Sequence, residues 1–169
     1  QFVWNEDLKQ NSTYIFQFGD AIEDLNEKNP ASNLTHAFST GPDLDTLSIT
    51  GTVVDVFSGE KQSERRIFIY DWELPVDSIL NGTQPLFVTS TDSVGSFTVS
   101  YMPEGKYRLI AIDDVDRNYV WTDGESLAIH KDPIQLNSVD TLAVELLMQK
   151  THNIDAVSYT HLRAHETQS

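Results

Sequence analysis

Three observations predict an all-β protein folded as a β-sandwich. Short runs of β-branched and aromatic residues recur along the chain, and apolar and polar residues alternate in several of them, as in SFTVSYM at 96–102. Residues that tolerate tight backbone geometry separate the runs, as in Asn81-Gly82 and Pro103-Glu104-Gly105. Helical patterns are scarce, and the best of them, DAIEDLNEKN at 20–29, is short.

The candidate strands follow one another in order. In the first, YIFQFG, Phe16 and Phe18 alternate with polar residues and share one side of the strand. Seven more follow residue 46, which is enough for a complete sandwich: SITGTVVDV, RRIFIY, PLFVTST, SFTVSYM, KYRLIAI, SLAIH and TLAVELLM. The core residues expected in these seven strands are Val53, Phe97, Val99, Tyr107 and Leu109.

The chain is expected to contain two β units joined by a connector. The stretch GPDLDTL at 41–47 concentrates Gly, Pro and Asp, as exposed connectors do. About forty residues precede it, too few for a stable sandwich. We therefore expect an incomplete domain at 1–41, a linker at 42–46 and one whole sandwich at 47–149.

Both ends of the sequence predict a piece of a longer protein. The chain begins with Gln1 rather than Met. At the other end, VSYTHLRAHET at 157–167 resembles the translation of a transposase sequencing adapter. We expect a disordered tail at 150–169 that is artefactual from residue 157.

Composition excludes several classes of function. The chain has no cysteine, which excludes disulfides, thiol catalysis and cysteine-ligated metals. Its formal net charge is -15, and so acidic a surface repels phosphate backbones. We predict no nucleic-acid partner, and no membrane insertion because no apolar run is long enough.

Two sets of motifs carry a family resemblance. The segment NSTYIFQFGDAIEDLNEKNPASNLTHAFSTG resembles the C-terminal part of bacterial SbsA-type Ig-like domains, with FG-x-A-I-x-D-x-N-E-x-N and a closing FSTG. The part after residue 46 is similar to carboxypeptidase-regulatory-like, or transthyretin-like, β-sandwiches. The residues that match the second pattern are Gly51, Val53, Asp55, Gly59, Thr91, Asp92, Gly95, Phe97, Gly105 and Tyr107.

This tandem resembles Ig-like-domain lipoproteins of Bacteroidota. The resemblance implies an Ig-like or transthyretin-like sandwich preceded by the C-terminal part of a second Ig-like domain. It also implies an extracytoplasmic location, in the periplasm or on the outer-membrane surface, and a non-catalytic structural or binding module with a protein or glycan partner. The shared motifs are turn and core positions, so they are specific for fold rather than activity.

Catalytic motifs are missing from the sequence. Outside the tail, the histidines are His36, His130 and His152, and each stands alone. Neither H-E-x-x-H nor G-x-S-x-G occurs. Fold alone does not support an enzymatic activity. We therefore predict that the protein is not an enzyme.

The densest polar segment, DDVDRNYVWTDGE at 113–125, has the spacing of an EF-hand-like calcium loop. Such loops supply hard oxygen ligands at fixed positions. Tyr119 departs from the pattern, since these loops place Gly there. The alternative is a solvated acidic hairpin loop. No cofactor is predicted apart from this structural calcium, whose candidate ligands are Asp114, Asp116, Asn118, Thr122 and Glu125.

Aromatic residues give an alternative function. Trp72, Tyr119 and Trp121 fall in predicted loops, where they could form an exposed patch for a carbohydrate or protein, as in an adhesin. Core packing at the end of the sandwich is the other interpretation.

Overall fold

The computed structural model describes residues 7–18, 35–122, 124–137 and 141–148. The short candidate helix at 20–29 and the predicted tail at 150–169 lie outside them. The described residues form ten strands and one short helix: β1 Thr13–Gln17, β2 Thr35–Ser39, β3 Leu47–Asp55, β4 Arg66–Asp71, α1 Val76–Leu80, β5 Phe87–Ser90, β6 Ser96–Met102, β7 Gly105–Ile112, β8 Leu127–Ile129, β9 Ile134–Leu136 and β10 Thr141–Met148.

These strands form three sheets. The first is the antiparallel hairpin β1–β2, and the second has the order β10-β3-β6. The third has the order β5-β4-β7-β8, with β9 also paired to β7. All pairings are antiparallel except β10 with β3, which is parallel. The chain is therefore an all-β sandwich, as predicted.

The main core lies between the second and third sheets. Val53 and Leu109 are fully buried there, and Phe97, Val99 and Tyr107 are at most 4% exposed, which confirms the five predicted core residues. Burial of each large apolar side chain stabilises the fold by roughly 1.5–3 kcal/mol. This cluster makes the two sheets one packed body.

A second apolar cluster covers the outer face of the third sheet. Phe68 and Tyr70 of β4 and Ile110 of β7 point into it, while their neighbours in sequence point into the main core. Burial on both faces explains why these strands read as continuous apolar runs. Helix α1, in the connection between β4 and β5, places Ile79 over this face.

The predicted number of strands in the sandwich was one too low. The described part of 47–148 contains eight strands because β8 and β9 follow each other along the same edge of β7. Residues 130–133 separate the two, and Pro133 cannot donate to a strand ladder. The short run Ile134–Leu136 was therefore not recognised from the sequence.

Several residues of the family pattern are explained by tight turns and close packing. Asp92 Oδ1 accepts hydrogen bonds from the backbone N–H groups of Val94, at 3.0 Å, and Ser96, at 2.8 Å. Gly95, the residue between Val94 and Ser96, has a φ of +74°, in the left-handed region that favours glycine. Asp92 therefore serves to close the turn before β6.

The hairpin β1–β2 is organised differently from the sandwich. The rings of Tyr14 and Phe16 stack on Phe38 with centroid distances of 5.5 and 5.8 Å, and Phe18 stacks on Phe16 at 6.4 Å. No described residue of the hairpin is buried. Its link to the sandwich includes a hydrogen bond from Asp45 N–H to Thr13 Oγ1 of 3.1 Å.

Candidate functional site

The acidic loop, residues 113–125, connects β7 to β8. Its first residue, Asp113, forms an ion pair of 2.9 Å with Arg65. Beyond this pair, Asp114, Asp116 and Glu125 each place one carboxylate oxygen within 4.8 Å of the others. Three of the five predicted ligands therefore converge, although they are up to eleven positions apart in the sequence.

The other two predicted ligands join the same cluster. Asn118 Nδ2 donates to Asp116 Oδ2 at 2.8 Å and to Thr122 Oγ1 at 2.9 Å. The Asn118 backbone N–H donates to Asp114 Oδ1 at 3.1 Å and to Asp116 Oδ1 at 3.2 Å. The acidic loop is thus folded around its own oxygen atoms.

Asp114 is the most unusual member of the cluster. Its side chain is fully buried, with 0% exposure. No described residue donates a hydrogen bond to its Oδ2 atom, and Arg66 Nε lies 4.0 Å away, beyond hydrogen-bond reach. The long ion pair with Arg66 is therefore the charge partner of this oxygen among the described residues, and a nearer cation or a water molecule would supply the contact that it lacks.

Glu125 closes the acidic loop at its base. Its Oε1 accepts the backbone N–H of Val115 at 2.9 Å, and its Oε2 accepts that of Thr122, also at 2.9 Å. The residue is 8% exposed. A carboxylate oxygen has two lone pairs, so these two hydrogen bonds are compatible with metal coordination.

Tyr119 adopts the backbone conformation that the glycine of an EF-hand-like loop supplies. Its φ is +62°, in the left-handed region that a bulky residue seldom enters. Its ring lies 5.5 Å from the guanidinium of Arg66. Tyr119 thus replaces the glycine of the calcium-loop pattern but keeps its left-handed turn.

The three candidate aromatic residues do not form one patch. Trp121 packs against the second core cluster and donates from Nε1 to Glu125 O at 3.3 Å. Trp72 lies under the guanidinium of Arg108, 4.2 Å from it. Trp72 follows the last residue of β4, whereas Arg66, which contacts the Tyr119 ring, is the first residue of that strand. The six residues of β4 span roughly 20 Å, so Trp72 and Tyr119 lie near opposite ends of the strand.

A groove of about 640 Å³ lies between the hairpin and the sandwich. Ile15 of β1 and Thr35 of β2 line one side, and Arg66, Tyr101 and Tyr119 line the other. Tyr101 also has a positive φ, +63°, at an irregularity in the pairing of β3 and β6. Sequence patterns gave no signal for this groove because its walls come from distant segments.

Sequence reasoning also missed a buried arginine. Arg108 is 7% exposed, and no described residue accepts a hydrogen bond from its Nε or Nη1. Burial lowers the pKa of its guanidinium. The Tyr70 hydroxyl, on the residue paired with Arg108 across the strands, also lacks a described partner. These groups are enclosed and form no accessible site.

The two histidines among the described residues contact an aromatic ring and a backbone oxygen. His36 stacks on Phe16 in the hairpin, at a centroid distance of 6.4 Å. His130 Nδ1 lies 2.8 Å from the backbone oxygen of Asp132. His152 lies outside the described residues.

Comparison with known proteins gives weak structural likenesses. No protein-family model matches the sequence, and no curated protein matches it significantly. BcpA, the major pilin subunit of Bacillus cereus, is 14% identical over 70% of this chain and 35% of its own, with a TM-score of 0.41. A suggested carbohydrate-binding protein of Pseudomonas aeruginosa is 14% identical over 62% of this chain and 89% of its own, with a TM-score of 0.39.

The pilus 2b backbone protein of group B streptococcus is a third such structure. It is 17% identical over 84% of this chain and 53% of its own, with a TM-score of 0.37. The chain thus spans about a third of the length of BcpA and about half of the length of the streptococcal protein. At these TM-scores the likenesses assign no function. Among the described residues, no helix is long and apolar enough to span a membrane.

Proposed function

We propose that this chain is a non-catalytic structural module of an extracytoplasmic bacterial envelope protein, and that its sandwich carries tension along the polypeptide. One observation carries this proposal: the first and last strands of the sandwich, β3 and β10, pair in parallel. The envelope location is supported by the sequence resemblance to Ig-like-domain lipoproteins. An unknown protein or glycan remains the proposed partner.

Parallel pairing determines how a pulling force reaches the sandwich. The register runs from Ser48 opposite Thr141 to Asp55 opposite Met148. The chain therefore enters β3 at one end of the pair and leaves β10 at the other, roughly 25 Å away. Force applied through the two ends loads the β3–β10 hydrogen bonds together, in shear, so they do not break one after another.

Side chains reinforce this strand pair. Leu146 and Met148 of β10 are buried in the main core. Gly51 of β3 allows the close approach, because a Cβ atom there would lie 2.5 Å from Val144 O and 2.6 Å from the Phe97 ring. Val56 N–H extends the contact with a bond of 3.0 Å to Met148 O.

Single-molecule pulling tests the proposal. The chain has no cysteine, so one engineered cysteine gives a unique attachment point. With handles at both termini, the sandwich is expected to unfold in one high-force event. A matched geometry attaches one handle at Phe57→Cys, an 81% exposed position just past β3, and the other at the C-terminus. Both handles then follow the same end of the parallel pair, so the force peels β3 from β10 one hydrogen bond at a time. We expect an unfolding force several-fold lower than in the first geometry. Equal forces in the two geometries would contradict the proposal.

A second candidate function is binding in the groove. The observation that favours it is the pair of left-handed tyrosines, Tyr101 and Tyr119, since such strained residues cluster at ligand sites. Hydroxyl groups of serine and threonine supply much of the remaining lining, which suits a glycan. Binding on a glycan array that is lost in Tyr101→Ala would support it. An array without signal would exclude it.

A further inference from the structure

We propose that the acidic loop at 113–125 binds one calcium ion, through Asp114, Asp116, Asn118, Thr122 and Glu125. This site goes beyond the structural function, because a sandwich can carry tension without a metal. Three carboxylate oxygens already lie within 4.8 Å of one another. Calcium takes six to eight oxygen ligands from carboxylates, amide carbonyls and water, at about 2.3–2.6 Å.

The buried side chain of Asp114 is the independent observation that distinguishes this cluster from an ordinary acidic turn. In the turn before β6, the Asp92 carboxylate is exposed to solvent, and its Oδ1 atom accepts two backbone N–H groups. Asp114 is instead withdrawn from water, and no described donor reaches its Oδ2. The Arg66 guanidinium, with Nε 4.0 Å from Oδ2, compensates this buried charge only at long range, and a bound calcium ion would compensate it by direct contact.

Backbone hydrogen bonds set the carboxylates in a favourable orientation. The Asn118 backbone N–H holds Oδ1 of both Asp114 and Asp116. The Oδ2 atoms accept no backbone N–H from the described residues. Asn118 Nδ2 bridges Asp116 Oδ2 and Thr122 Oγ1, so a positively polarised group already occupies part of the cluster. Asn118 Oδ1 accepts the Val120 backbone N–H at 2.8 Å, so the amide has to turn over for its oxygen to bind calcium. The ion would then take over the bridging role of Nδ2.

Tyr119 maintains the sharp turn between the two halves of the loop. Five positions separate it from the first ligand, Asp114, where calcium loops of this spacing place glycine. Its φ of +62° shows that the turn is formed despite the side chain. Glycine should therefore be tolerated at this position, whereas a β-branched residue should be disfavoured.

Calcium rather than magnesium is the expected ion. Magnesium requires a tight octahedral shell and retains its waters, whereas the acidic loop offers mixed carboxylate, amide and hydroxyl oxygens. Extracellular calcium modules bind with dissociation constants of roughly 0.1–1 mM. We expect the same range here.

Terbium luminescence and thermal unfolding of the full chain test the site. Terbium is a luminescent substitute for calcium, and Trp121 within the loop is positioned to sensitise it. We expect terbium emission that calcium displaces, and a melting temperature that rises by a few degrees in about 10 mM calcium. Magnesium at the same concentration should have a much smaller effect. No emission together with no thermal shift would overturn the proposal.

A matched pair of variants localises the effect. Asp116→Asn removes a charge at an exposed position but keeps the shape of the side chain, so the fold should persist. We expect it to abolish the calcium shift. Asp92→Asn makes the same change in the other turn and should respond like the unmodified chain. A calcium shift that survives in Asp116→Asn would place the ion elsewhere and refute the assignment.

A second pair of variants tests the turn. Tyr119→Gly should retain calcium binding, because glycine adopts the left-handed conformation without strain. Tyr119→Val should weaken it by about tenfold, since a β-branched residue is strained in the left-handed conformation. Equal affinities in the two variants would show that the turn at Tyr119 is not part of the site.

Discussion

The sandwich and the hairpin β1–β2 contain similar strands but differ in what covers them. Every buried hydrophobic side chain among the described residues lies between Ile49 and Met148. In the hairpin, Tyr14, Phe16 and Phe38 stack mainly on one another and remain partly exposed. An isolated two-stranded hairpin is marginally stable at best in water. Strand pairing alone therefore does not stabilise a unit, whereas packing against a second layer does.

Two phenylalanine substitutions should separate the regions most strongly. Phe97→Ala removes a ring that is 4% exposed in the main core, and it should lower the free energy of unfolding by about 3–5 kcal/mol. Phe16→Ala, the matched change in the hairpin, should lower it by less than about 1 kcal/mol. Urea denaturation monitored by tryptophan fluorescence measures both. Similar losses would mean that the hairpin contributes to the same core.

A smaller but still marked loss is expected for Gly51→Ala. The added methyl group would meet the Val144 backbone oxygen and the Phe97 ring, so β10 has to move away from β3. Overpacking of this kind costs roughly 1–3 kcal/mol. The same variant should also unfold at lower force when pulled through its ends. An unchanged denaturation midpoint would show that β3 and β10 are not in close contact.

High pH should weaken the sandwich through two buried tyrosines. Burial raises the pKa of Tyr70 and, with added repulsion from Asp45 and Asp71, that of Tyr107 to about 12. In the unfolded chain both ionise near pH 10. Their contribution to stability is thus complete below about pH 10 and is lost as the pH rises towards 12.

Denaturation midpoints between pH 9 and 12 measure this loss. Tyr107→Phe removes one of the two groups, so its stability should depend less steeply on pH. A variant with an unchanged slope would show that the Tyr107 hydroxyl ionises normally in the folded protein.

Removing the hairpin should have the smallest effect. A chain that begins at Asp45 keeps all the strands of the sandwich and loses the hydrogen bond to Thr13. Its melting temperature should fall by no more than a few degrees. Loss of cooperative unfolding would show that the sandwich depends on the preceding residues.

How much could be predicted from the sequence depended on whether the determining contacts were local. The alternation of apolar and polar residues in β6 correctly predicted that Phe97 and Val99 lie in the core, because one face of this strand is buried. The broken edge at β8–β9 was missed because Pro133 interrupts the pattern. The parallel pairing of β3 and β10 joins segments about ninety residues apart, and no local pattern encodes it.

In the acidic loop, too, the features that depend on local contacts were predicted, and those that depend on distant contacts were not. Asp114, Asp116 and Asn118 were identified by spacing, because a loop of fixed length brings fixed positions together. The burial of Asp114 and its approach to Arg66 depend on where β4 lies beside β7, which spacing does not reveal. The left-handed turn at Tyr119 was also unforeseen, because glycine is the usual signal for it.

Native-state hydrogen exchange measures whether residues 47–148 form a self-sufficient sandwich. Amides in the β3–β10 and β4–β7 pairs should exchange only through global unfolding, at about 5–15 kcal/mol. Amides of the β1–β2 pair should exchange through local opening at a free energy close to zero. Equal protection of the hairpin and the sandwich would show instead that the two regions unfold as one unit.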